Sequence, residues 1–122
     1  MEEQRVTYEV AKLAKERGFN EKVDMFYPLD DNKSEAAGHC DGPDCFNKYP
    51  SVIAAPTQSL LQRWLREEKH IEVIVIGQEY IGGPYYGEAY TERGLENRYC
   101  EPHKTYELAL EDGLKYALGN LL

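Results

Sequence analysis

The amino-acid sequence predicts an α+β fold in which three helices pack with a small, mainly antiparallel sheet. Three segments place apolar residues at helical spacing behind a threonine that can cap the first turn. Between the last two, an apolar extended run, a Gly-Gly-Pro turn and a tyrosine-rich extended run are typical of a hairpin. With one short edge strand before the second helix, the predicted order is α-β-α-β-β-α.

The first helix is predicted over residues 7 to 17. Thr7 can cap it, and Gly18 followed by Phe19 supplies a C-terminal stop with an apolar contact. One face of this helix carries the apolar residues Val6, Val10, Leu13 and Ala14.

Residues 23 to 29 predict a short strand at the edge of the sheet, because the run is aromatic and apolar but contains Pro28. From residue 30 to about residue 53 the chain is rich in Asp, Asn, Ser, Gly and Pro and has no sustained periodicity. This is long for a connection in a compact domain, so we expect the loop to be functional or mobile.

The second helix is predicted over residues 55 to 67, where Pro56 and Thr57 open the segment. Its apolar face consists of Leu60, Leu61, Trp64 and Leu65. A tryptophan can serve as a ligand platform, but an aromatic residue among leucines at helical spacing is typical of a core. The sequence therefore assigns Trp64 to the core.

The hairpin is predicted from two extended runs, residues 71 to 76 and 85 to 91, joined by the Ile-Gly-Gly-Pro turn at 81 to 84. Strand alternation places Ile71, Val73 and Val75 on one face of the first run and Glu72, Ile74 and Ile76 on the other. In the second run, Tyr86, Glu88 and Tyr90 alternate with Tyr85, Gly87 and Ala89. Both faces of this sheet therefore need some cover.

The last helix is predicted to begin after Thr105 and to carry a continuous apolar stripe. The stripe contains Tyr106, Ala109, Leu110, Gly113, Leu114, Ala117 and Leu118. A glycine inside a helix costs about 1 kcal/mol relative to alanine, so Gly113 indicates the close approach of a neighbouring element.

Length and charge limit the classes of function. The 122 residues predict one domain over 1–122, and 22 acidic against 14 basic residues give a net charge of -8. Arg63, Arg66 and Lys69 are the only local basic group, which disfavours direct binding to nucleic acid. No apolar run approaches the roughly 18 residues of a membrane span, and three cysteines cannot all pair, so we expect a cytoplasmic protein.

Several segments together resemble a family of short uncharacterised proteins common in gut-bacterial genomes, phages and prophages. They are YEVAKLAKERGF at 8–19, APTQSLLQRWLRE at 55–67, IEV at 71–73 and TYELALEDGL at 105–114. The resemblance spans most of the chain outside the 30–53 loop and the hairpin, and the cysteine-containing loop departs from the family pattern. It implies a mobile-element origin but no chemistry.

Two loop clusters contain residue types that bind zinc. Cys40 and Cys45, with Cys100 and His103, would supply a Cys3His set, and His39 is an alternate nitrogen ligand. The four-residue gap between Cys40 and Cys45 is a weaker signal than a two-residue knuckle, so unliganded thiols and surface histidines remain the alternative. Cys100 with His103 has no evident third group to orient a catalytic pair.

The function favoured by the sequence is a non-catalytic accessory protein of a phage or prophage that binds another protein or a second copy of itself. No catalytic set or basic patch is evident, and the ten tyrosines suit a contact surface. The candidate contact residues are Tyr86, Tyr90, Ile74 and Ile76. Alternatives are tyrosines that only cover a small sheet, a zinc-stabilised module, an acidic decoy for DNA-binding proteins and a hydrolase.

Overall fold

A computed structural model of the chain describes residues 4–28, 45–80, 83–91, 98–99 and 102–121. These residues form the helices α1 (Tyr8–Glu16), α2 (Gln58–Glu68) and α3 (Tyr106–Asn120) and a 3-10 turn (Phe46–Lys48). They also form the strands β1 (Phe26–Pro28), β2 (Val52–Ala54), β3 (Ile71–Tyr80), β4 (Gly83–Thr91) and β5 (Arg98–Tyr99). The predicted α+β class is confirmed, as is the order of the predicted helices, edge strand and hairpin.

The chain divides into two compact units, Met1–Thr57 and Gln58–Leu122. In the first unit, β1 and β2 form an antiparallel two-stranded sheet in which Tyr27 lies opposite Ile53. The sequence predicts the short strand at the edge of the hairpin sheet and a loop to about residue 53, which includes Val52 and Ile53 of β2. A strand of three residues carries too little alternation to be recognised. Of the rest of that loop, residues 30–44 lie outside the described residues, and residues 45–51 contain the 3-10 turn.

Helix α1 begins and ends as its sequence predicts. The Oγ1 atom of Thr7 accepts a hydrogen bond from the Val10 amide at 3.3 Å. Gly18 takes φ +94°, and the Phe19 amide donates to the Ala14 carbonyl at 3.0 Å. A glycine at this position avoids the steric cost of a left-handed backbone.

Side chains distant in sequence hold the main chain of the first unit. The Tyr27 hydroxyl donates to the Val6 carbonyl at 2.6 Å. The Lys15 ammonium donates to the carbonyls of Tyr49 at 2.8 Å and Val52 at 2.7 Å. The bonds to Val6 and Val52 give buried or partly buried carbonyls the partners they need, while the bond to Tyr49 is exposed.

In the second unit, β3, β4 and β5 form an antiparallel sheet in that order. Both α2 and α3 pack on β3, and α3 also packs on β4 and α2. Trp64 is 4% exposed, which confirms its assignment to the core.

The stripe of α3 is buried from Ala109 to Leu118, with one exception to the prediction. Tyr106 is 46% exposed, because it lies in the first turn and its ring meets the Tyr85 ring only edge-on, with 6.4 Å between centroids. Thr105 caps the helix as predicted, accepting from the Leu108 amide at 3.1 Å. Among the described residues, no helix has the length and apolar character needed to cross a bilayer.

Candidate contact face of the hairpin

The register of the hairpin separates its side chains into two faces. Glu72 pairs with Tyr90, Ile74 with Glu88 and Ile76 with Tyr86 in the antiparallel ladder. Because paired residues point to the same side of a sheet, these six side chains share one face. The intervening pairs, Val73 with Ala89 and Val75 with Gly87, share the other.

The second of these faces, which we call the inner face, packs against α3. A Cβ atom built on Gly113 of α3 would lie 2.9 Å from Cγ1 of Val73 and 3.7 Å from the Gly87 Cα. A Cβ on Gly87 would lie 2.5 Å from the carbonyl oxygen of Ala109. The two glycines therefore let α3 approach β4 at backbone distance, as the position of Gly113 in the apolar stripe predicts.

The opposite face, which we call the hairpin face, consists of Glu72, Ile74, Ile76, Tyr86, Glu88 and Tyr90. Its six side chains are all of intermediate burial. Helix α3 packs on the inner face, whereas α2 contacts β3 and its Arg66 lies beside Glu72 at one end of the hairpin face. The face combines isoleucine and tyrosine side chains with two carboxylates.

One end of the hairpin face borders a cavity of about 200 Å³. It is lined by Arg66, His70, Glu72, Tyr90 and Thr91, and we call it the notch. A guanidinium nitrogen of Arg66 lies 3.8 Å from a carboxylate oxygen of Glu72. Because Arg66 is 49% exposed in its side chain, solvent weakens this ion pair.

The backbone of His70 is unusual for a residue other than glycine. It takes φ +58° between the end of α2 and the start of β3. This left-handed conformation turns the chain from helix into strand, a role that glycine fills without steric cost. Nothing in the sequence predicts it, because residues other than glycine rarely take a positive φ.

The structure describes two of the residues predicted to bind zinc. Cys45 precedes the 3-10 turn in the first unit and is partly buried, and His103 lies in the second unit. The other three predicted ligands, His39, Cys40 and Cys100, lie outside the described residues. Among the residues that the structure describes, no group of three or more His, Cys, Asp or Glu suits a metal ion.

His103 has a partner that the sequence analysis missed. Its Nε2 atom lies 3.0 Å from a carboxylate oxygen of Asp112. Because a carboxylate oxygen accepts, the tautomer with a hydrogen on Nε2 donates this hydrogen bond. The His103 main chain also exchanges two hydrogen bonds with Tyr85 of β4, which fixes the position of the residue. The two partners are nine residues apart and belong to a loop and a helix, so no short motif marks the pair.

Comparison with known proteins gives no match: no family model, no curated protein and no solved structure is significantly similar to this chain.

Proposed function

We propose that the chain is a non-catalytic protein-binding module that uses the hairpin face. The observation that carries the proposal is the division of the sheet into two faces. Helix α3 packs on the inner face, while Ile74, Ile76, Tyr86 and Tyr90 keep accessible surface on the other. An apolar and aromatic sheet face gains free energy when a partner covers it.

The residue types on the face also favour a protein partner. Tyrosine buries a large ring at a small cost in conformational entropy and keeps a hydroxyl for hydrogen bonding, and it is enriched among residues that dominate binding energy. Glu72 and Glu88 place carboxylates beside the apolar side chains. A partner with basic residues around an apolar centre would match this pattern and the net charge of -8.

The biological setting in this proposal is that of a phage or prophage accessory protein. Its support is the resemblance of the segments at 8–19, 55–67 and 105–114 to short proteins of such elements.

The test is capture of partners by the tagged chain from cells of the host, with quantification against variants. The double variant Tyr86→Glu with Tyr90→Glu places two charges on the hairpin face and should abolish capture. Loss of a dominant contact tyrosine typically costs about 2 kcal/mol or more, roughly a 30-fold loss of affinity. Tyr49→Glu is the matched control, because Tyr49 is 42% exposed and lies in the first unit.

Circular dichroism and thermal unfolding establish that both variants fold. The proposal is contradicted if the double variant folds and still captures the same partners as the original chain. It is also contradicted if Tyr49→Glu removes binding and the hairpin variant does not.

A zinc-stabilised module is the second candidate function, and one observation favours it. Zinc-binding histidines commonly donate their second ring proton to a carboxylate, which orients the ring. The bond from His103 Nε2 to Asp112 is of this type and leaves Nδ1 as the atom that would bind a metal. Cys40, Cys45 and Cys100, with His39 as alternate, are the other proposed ligands.

Metal analysis tests this second candidate. Protein expressed without chelator should contain about one zinc per chain, and Cys40→Ser or Cys100→Ser should release it. Tyr49→Glu serves again as a control that should retain the metal. Protein that folds fully without metal would exclude zinc as a structural requirement.

A further inference from the structure

The β3 strand is at the edge of its sheet. The strand order is β3-β4-β5, so β3 pairs with β4 on one side only, and no described strand pairs with its other side. It runs for ten residues. A long edge strand presents unpaired peptide groups that can pair with another chain.

Hydrogen bonds on the far side of β4 show which groups of β3 point to this edge. Tyr85 donates to the His103 carbonyl at 3.2 Å and accepts from its amide at 2.6 Å. Since β3 lies on the opposite side of β4, the peptide groups of Tyr85 point away from β3. Peptide groups alternate in direction along a strand, so those of Tyr86, Glu88 and Tyr90 point toward β3.

The same alternation applies to β3 through the register. Ile76, Ile74 and Glu72 lie opposite Tyr86, Glu88 and Tyr90, so these residues form the hydrogen bonds with β4. The residues between them turn their amides and carbonyls to the edge: Ile71, Val73, Val75 and Gly77.

One contact independently supports this assignment. The side-chain amide of Gln62 in α2 donates to the Val73 carbonyl at 2.6 Å, so this carbonyl does point away from β4. Gln62 thus occupies the edge at Val73. The peptide groups of Val75 and Gly77 lie further along the same edge.

We propose that β3 pairs antiparallel with β3 of a second copy of the chain, centred on Ile76. In this register Val75 of each copy lies opposite Gly77 of the other, and the pair exchanges both N–H···O bonds. Ile76 lies opposite Ile76 of the second copy on the hairpin face. The two sheets join into one, and the two hairpin faces become continuous.

Charge and symmetry favour a second copy as the occupant. The segment from Val73 to Gly77 contains no charged side chain, although the whole chain has a net charge of -8. In each copy Glu72 is four residues from Ile76, and the antiparallel pairing places the two Glu72 residues on opposite sides of the Ile76 pair, so their carboxylates do not meet. The segment also lacks the lysines and prolines that commonly block pairing at edge strands. A two-fold axis through the Ile76 pair makes the interface self-complementary.

The first test is sedimentation velocity over a micromolar concentration series. The original chain should form a dimer, and Val75→Pro should be monomeric at the same concentrations, since proline removes the amide that points to the edge. Val75→Ala keeps that amide and is the matched control, which should remain dimeric. Circular dichroism should show that each variant folds.

This pairing uses main-chain groups at the strand edge and does not require Tyr86 or Tyr90, so it can fail independently of the proposed function. Tyr86→Glu with Tyr90→Glu changes β4, which is not at the edge, and should leave the dimer intact while partner capture is lost. If this double variant instead becomes monomeric and Val75→Pro stays dimeric, the copies associate through the face and the edge pairing is wrong.

A disulfide test gives a result even if Val75→Pro does not fold. In the proposed register the Ile76 pair is not hydrogen-bonded, with Cα atoms about 4.5 Å apart, which suits a disulfide. Ile76→Cys should therefore form an interchain disulfide on mild oxidation, and peptide mapping distinguishes it from bonds of the native cysteines. Ile74→Cys is the control. In the proposed register its two new thiols lie about 13 Å apart along the strands, so this variant should not form a disulfide between the two copies at position 74. A monomeric original chain, or cross-linking at 74 without cross-linking at 76, would overturn the proposal.

Discussion

The two units of the chain differ in what holds their backbone in place. In the first unit, polar side chains bind main-chain groups far away in sequence: Lys15 binds the Tyr49 and Val52 carbonyls, and Tyr27 binds that of Val6. In the second unit, a long strand pair packs under apolar helix faces, and two glycines bring α3 against β4.

This difference predicts how each unit responds to substitution. A hydrogen bond from one side chain can be removed without changing the volume of the core, and its loss leaves one or two peptide groups without a partner. Close packing responds instead to added or removed volume, because the surrounding backbone relaxes only partly. Substitutions in the two units should therefore differ in kind as well as in magnitude.

The largest effect is expected from Trp64→Ala in α2. Trp64 is 4% exposed, and its truncation should lower the free energy of unfolding by about 3 to 5 kcal/mol. Urea unfolding followed by circular dichroism measures this, and the original chain should show blue-shifted tryptophan emission. Leu108→Ala is the control, because Leu108 is 52% exposed and should cost much less. A solvent-exposed emission spectrum would contradict the packing of α2.

The next largest effect is expected from Gly87→Ala, which adds one methyl group at the approach of α3 to β4. The added Cβ would lie 2.5 Å from the Ala109 carbonyl oxygen, a backbone atom that cannot move without shifting α3. Overpacking of this kind typically costs about 1 to 3 kcal/mol. Thermal unfolding should show the loss.

Gly119→Ala is the matched control for Gly87→Ala, because a Cβ at Gly119 meets nothing within 4 Å. Alanine is the better helix former, so this variant should be as stable as the original chain or slightly more stable. Equal stability of the Gly87 and Gly119 variants would show that α3 does not approach β4 at backbone distance.

The same difference between the units explains what the sequence could predict. In the second unit, α2, α3 and the faces of the hairpin follow from residue spacing, which reports packing directly. Gly113 even predicts the close approach that Gly87 completes. The prediction that Tyr106 belongs to the buried stripe of α3 is wrong, because helical spacing does not reveal where the neighbouring sheet ends. The Tyr106 ring meets the Tyr85 ring only edge-on.

The first unit was harder to predict for a physical reason. Strand β2 spans Val52–Ala54, and the side chains of Lys15 and Asn47 form hydrogen bonds with its main chain. No local sequence pattern connects these residues with the strand. For strand β5, at Arg98–Tyr99, the sequence predicts only a polar loop, because two residues show no alternation. In the candidate site, the hairpin face was predictable, but the notch was not, since it depends on the backbone turn at His70.

A smaller effect is expected from Asn47→Ala in the first unit. The Asn47 side chain donates to the Phe19 carbonyl at 2.8 Å and accepts from the Ala54 amide at 2.8 Å. Loss of both bonds leaves two peptide groups without these partners and should cost about 1 to 3 kcal/mol. Asn47→Asp keeps an acceptor for Ala54 and loses the donor to Phe19, so its unfolding free energy should fall between the two. If Asn47→Ala unfolds at the same urea concentration as the original chain, polar side chains do not hold this unit.

The smallest effect, and the only stabilising one outside a control, is expected from His70→Gly. His70 takes φ +58°, a conformation that costs a residue with a Cβ atom about 1 to 2 kcal/mol. Glycine removes this strain but increases the entropy of the unfolded chain, so the expected net gain is about 0.5 to 1 kcal/mol. Urea unfolding measures the gain, and His70→Asn should give part of it because asparagine tolerates this region.

Strained residues are common at functional sites, and His70 lines the notch beside Glu72 and Tyr90. If His70→Gly is more stable but captures less partner protein, the histidine is retained for binding at that end of the hairpin face. If His70→Gly is less stable, the contacts of the imidazole in the folded chain outweigh the backbone strain.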